Sequence, residues 1–81
     1  MLKNHLGLLQ PGQIATITQL HSESGLQQRL LAMGFRTGRQ IVMLRRGWLS
    51  GPLHVRIGTT EVMLRCREAR EIEVTNVSKG I

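Results

Sequence analysis

The stretch Leu53-His54-Val55-Arg56-Ile57-Gly58-Thr59-Thr60-Glu61-Val62-Met63-Leu64 decides the fold. Leu53, Val55 and Ile57 alternate with His54 and Arg56. Beyond Gly58-Thr59, Val62, Leu64 and Cys66 alternate with Met63 and Arg65. A period of two is the mark of a half-buried strand, and the Gly-led two-residue break between the runs predicts a tight hairpin. Each strand has one apolar face, which two strands alone cannot bury.

The same period continues on both sides. Ile72 and Val74 alternate with Glu71, Glu73 and Thr75, while Ile41-Val42-Met43-Leu44 is apolar on both faces and suits a central strand. Residues 47–52 read as a longer hairpin loop carrying Trp48, and Glu68-Ala69 as a single helical turn. Upstream, the Pro11-Gly12 turn introduces a strand over 13–20, rich in Ile and Thr. Ile14, Ile17 and Leu20 do not share one face there, which predicts a bulge.

One segment has a different period. Ser24 with Gln27 three residues later forms a capping-box pattern. Leu26, Leu30 and Met33 then make one apolar stripe, and Gly34 supplies a left-handed terminator. The helix runs over about 25–33, too short to stand unless it packs on something. The expectation is an all-β chain with one short helix: a small SH3-like, partly open β-barrel of about five strands. The helix follows the first strand, which favours this over an OB-like barrel.

Eighty-one residues make one small domain. No apolar run approaches the roughly twenty residues of a membrane span, and no apolar leader opens the chain. The lone Cys66 excludes an internal disulfide, so the reading is cytoplasmic. By its alternation Cys66 is a small core residue. Eleven cations, nine of them Arg, against five Glu and no Asp give +6. The charge is either a solvated barrel exterior or a surface for anionic partners. Phe35 and Trp48 are the only aromatics, too few for a base-stacking platform. A small basic nucleic-acid-binding barrel that contacts phosphates is the alternative function.

Catalysis finds no support. Phosphate-loop signatures are absent, no serine has nucleophile context, and His5, His21 and His54 are far apart in sequence. No ligand pair at C-x-x-C or H-x-x-x-H spacing appears, so no metal site and no cofactor are expected. The residual metal candidates are His21 with Glu23, and His54.

The run from Leu26 to Gly38, with Arg29-Leu30, Met33-Gly34 and Gly38, resembles the signature of the FeoA family, ferrous iron transport protein A. Leu9-Gln10-Pro11-Gly12, Gly51-Pro52, Leu64-Arg65, Glu68-Ala69 and Ile72-Glu73-Val74 are similar to further family motifs in the same order. The acidic residue of the Gly51-Pro52 motif is missing here. The match covers about residues 8–77, with frayed termini expected. The resemblance implies an SH3-like fold and an accessory protein that modulates FeoB, a ferrous iron transporter with a cytosolic GTPase domain. The membrane would be reached only through that transporter, and exposed edge strands leave self-association open.

Partner contact is expected on a basic surface of Arg45, Arg46, Trp48 and Arg56, with a second route through Gln28, Phe35 and Arg36. Trp48 is either an interface anchor or a plug folded over the barrel mouth. Arg29 ties the helix to loop carbonyls or meets the partner, and Leu30, Gly34 and Gly38 serve packing and backbone geometry.

Overall fold

In the computed structural model, which describes residues 4–21 and 24–80, the deciding stretch is the hairpin expected of it. Strands β3 (Leu53–Ile57) and β4 (Thr60–Leu64) pair antiparallel across Gly58-Thr59, and Leu53, Val55 and Ile57 are buried. Strand β2 (Gln40–Arg46) pairs with β3, and β1 (Gln13–Leu20) pairs with β2 and with β5 (Ile72–Lys79). The order is β4-β3-β2-β1-β5, and β2, apolar on both faces, sits at the centre. The sheet curls around one core without joining its outer strands, the partly open barrel anticipated above.

Helix α1 (Ser24–Ala32) covers that core with Leu30, which is fully buried. Met33 and Phe35 close its end by hydrogen bonds to Leu30 O, and Gly34 takes φ +100°, a conformation that favours glycine. Gly38, at φ +91°, turns the chain so that its N–H reaches Ile17 O at 2.7 Å. The Ser24 side chain expected to cap α1, and Glu23, lie outside the described residues.

Two places differ from the sequence reading. Residues 5–7, outside the expected span of about 8–77, are packed, not frayed: a 3-10 turn (Leu6–Leu8) sets Leu6 and Leu9 into the core, and Val74 N donates to Asn4 O. Cys66 is not on a strand. It opens α2 (Cys66–Ala69) and is half-buried against the core's margin, because β4 ends at Leu64.

A bulge in β2 has the largest consequence. Met43 faces Val55 and Arg45 faces His54, so two steps on β2 match one on β3. Side-chain alternation is thereby inverted beyond Met43. Arg45 stands on the outer face, and Arg46, opposite buried Leu53, turns inward. The expected bulge in β1 is also present, at Ile14/Thr16 and again at Ile17/Gln19.

Candidate protein-interaction surface

The candidate site begins where α1 and α2 face each other. Arg29 Nη2 donates to Glu68 Oε2 at 2.5 Å, linking the helices across 39 residues of sequence. Glu68 Oε1 accepts the Arg65 N–H at 2.9 Å, so one carboxylate caps α2 and holds α1. Burial pushes the Glu68 carboxyl up. The Arg65 N–H, the Arg29 hydrogen bond and the two guanidinium charges outweigh it and hold the group below its ordinary value. Arg29 therefore ties the helix to a carboxylate, not to loop carbonyls.

Around this clasp the surface is concave. A cleft of about 730 Å³ is lined by His21, Leu26, Arg29, Arg65, Glu68 and Glu71. Arg65 also borders a second cleft with Met33 and Met63, and a third with Pro52 and Arg67. From Met63 a row of cross-strand neighbours runs over the outer sheet face, through His54 to Arg45. Arg56 and Glu61 form the adjacent rung, and His54 Nε2 lies 2.9 Å from Glu61 Oε1.

The partner-contact candidates separate cleanly. Arg45 and Arg56 are exposed on the outer face, and Gln28 and Arg36 are exposed at α1 and after it. Two candidates are corrected. Phe35 is fully buried, because the chain turns inward at Gly34 and the ring fills the space beneath α1. Arg46 is spent internally: Nη1 donates to Gly7 O at 2.8 Å and Leu9 O at 2.7 Å, fastening the N-terminal segment to β2. No signal in the sequence sets a partner beneath Arg46, because Leu6 and Leu9 follow no period that would place them in the core.

Trp48 is not folded over the barrel. It is 88% exposed, with Leu49 beside it at 80%. Their loop is closed by Gly47 N to Pro52 O at 2.7 Å and Gly51 N to Trp48 O at 3.0 Å. A Cβ at Gly47 would lie 2.8 Å from Gly51 and Pro52 backbone atoms, so only glycine admits this approach. The Cys66 thiol faces Ser50 O and Gly51 O, each at 3.4 Å, which braces the loop from below.

Of the metal candidates, His21 Nε2 lies 2.6 Å from Glu73 Oε1, and His54 is the neighbour of Glu61. Among the described residues no group of three or more His, Cys, Asp or Glu is placed to hold a metal ion. None of their helices is long and apolar enough to cross a membrane.

Known proteins share this fold. The chain is 33% identical over 69 residues to an Fe(2+) transport protein A of Campylobacter jejuni subsp. jejuni, covering 85% of this chain and 93% of that one. The solution structure of iron(II) transport protein A from Clostridium thermocellum superposes with TM-score 0.83 at 37% identity, over 88% of this chain and 44% of that chain. The crystal structure of Stenotrophomonas maltophilia FeoA, an SH3 domain protein complexed with zinc, superposes with TM-score 0.82 at 26% identity, over 96% and 99%. The FeoA domain profile matches residues 4–76, a span that includes the packed N-terminal segment, the α1 signature and the clasp, and the chain belongs to the FeoA family, associated with ferrous iron transport.

Proposed function

We propose that this chain is a cytoplasmic accessory protein of ferrous iron uptake that works by protein–protein contact. It binds the cytosolic side of an FeoB-type ferrous iron transporter and modulates it. Family membership supplies the pathway. The observation that carries the mode of action is the surface itself: a braced cleft at the α1–α2 clasp continues onto the outer sheet row of Met63, His54 and Arg45, with Arg56 beside it. Such a combination of concavity, an exposed Met and unburied cations suits an acidic protein face with an apolar centre. Gln28 and Arg36 border the same helix and extend the contact.

Charge reversal tests this reading. Arg45→Glu with Arg56→Glu alters neither core nor clasp, so the variant should fold as the parent does. Its affinity for the transporter's cytosolic domain should fall at least tenfold, with a weaker salt dependence. Parental affinity in the double variant would remove this face from the contact.

A further inference from the structure

The Trp48–Leu49 tip is a convex apolar protrusion, unlike the cleft just described. Two large side chains project into solvent from a loop that is hydrogen-bonded shut and braced by Cys66. Leu49 and Ser50 both hold positive φ, 52° and 61°. Non-glycine residues occupy that region at a cost, and consecutive ones are uncommon in a loop without a task. The fold thus accepts strain to present an indole and an isobutyl group that touch little of their own protein.

The charges at the base of the tip are mainly cationic. Arg45 precedes it by three residues on the outer face, and Arg65 and Arg67 line the cleft formed with Ser50, Gly51 and Pro52 at the loop's base. Glu68, which borders Pro52 near that base, is already engaged by Arg29 and the Arg65 N–H. A deformable surface receives a convex tip without needing a matching pocket. An indole with an aliphatic neighbour, with arginines at the base of its loop, has the chemistry of the lipid headgroup boundary. Anionic lipid complements those arginines, each cation near such a surface strengthening binding about fivefold.

We infer that the Trp48–Leu49 tip inserts into the headgroup region of an anionic membrane, with Arg45, Arg65 and Arg67 against the phosphates. This departs from the expectation that the membrane is reached only through the transporter. Arg65 and Arg67 also line the α1–α2 cleft, so insertion would engage one rim of that cleft and hold it close to the bilayer. The inference shares Arg45 with the proposed transporter contact but is tested apart from it, since the vesicles contain no protein.

Trp48 is the only tryptophan, so its emission reports the tip alone. The protein is titrated with phosphatidylcholine vesicles with and without phosphatidylglycerol, in about 0.1 M salt. The expected result is a blue shift and co-sedimentation with anionic vesicles only. Leu49→Gly suits the positive φ and so keeps the loop, yet it should weaken binding about tenfold. Arg65→Glu with Arg67→Glu should weaken it at least tenfold, with an unchanged circular dichroism spectrum. Absence of a shift with anionic vesicles, equal binding to neutral ones, or parental binding by Leu49→Gly would overturn the proposal. So would a shift produced only by the transporter's cytosolic domain, which would make the tip a protein anchor.

Discussion

Arg29 and Glu68, 39 residues apart, meet at 2.5 Å and join the two helices of a domain that is otherwise sheet. Glu68 is the better shielded partner, with its side chain 12% exposed against 57% for Arg29. The pair is therefore worth less than a buried one, though more than a free surface pair. Arg29→Ala should lower stability by about 1 kcal/mol at neutral pH, read from urea unfolding. Because the Glu68 carboxyl is held below its ordinary value of 4.5, its contribution is complete above that value. It is lost as pH falls through the lowered one. The gap between parent and Arg29→Ala should accordingly close in acid. A gap independent of pH would show that Arg29 acts through packing alone.

Arg45 and Arg46 are adjacent and chemically identical, yet the β2 bulge gives them opposite work. Arg46→Ala leaves the carbonyls of Gly7 and Leu9 without their donor and should cost about 2 kcal/mol. Arg45→Ala, on the outer face, should stay within about 0.5 kcal/mol. Equal losses in urea unfolding would contradict the β2–β3 register.

Phe35 and Arg36 make a similar contrast. Phe35→Ala empties a fully buried site in a domain of only 9.1 kDa and should cost about 3–5 kcal/mol, enough to populate the unfolded state. Arg36→Ala should melt at the parental temperature, because its side chain is exposed. A cooperative, parental melt from Phe35→Ala would refute the burial.

The loop below Trp48 depends on Gly47. Gly47→Ala puts a Cβ 2.8 Å from the Gly51 and Pro52 backbones, where no side-chain movement relieves the clash. The Gly47–Pro52 closure should open, at a cost of about 1–3 kcal/mol, and amide exchange should rise at Gly47 and Gly51. Slow exchange retained at both amides would show that the backbone relaxes at little cost.

Much of this fold is written in alternation. Leu53, Val55 and Ile57 announce their strand and its buried face, and Gly58-Thr59 announces the turn, because both signals are local. The doubled face of β2 likewise betrays its central place. What escaped depends on partners distant in sequence. Leu6 and Leu9 follow no strand or helix period, and what packs against their segment, β5, α2 and the Arg46 side chain, is distant in sequence. Nothing before Arg45 signals that one extra residue will exchange the roles of two arginines. Phe35, just past the helix-ending glycine, has no period to show which way it turns. The clasp is half legible: the long guanidinium of Arg29, off the helix's apolar stripe, marks it as a tie, but its acceptor, Glu68, lies three strands further along the chain.

The proposed contact with the transporter is tested most directly by calorimetric titration of the protein into the cytosolic GTPase domain of its own organism's ferrous iron transporter, with and without guanine nucleotide, at physiological salt. Saturable binding that falls at least tenfold with Arg45→Glu and Arg56→Glu is the predicted result. No heat of binding in either nucleotide state, with both proteins folded, would contradict the proposal that this basic face serves the transporter's cytosolic domain.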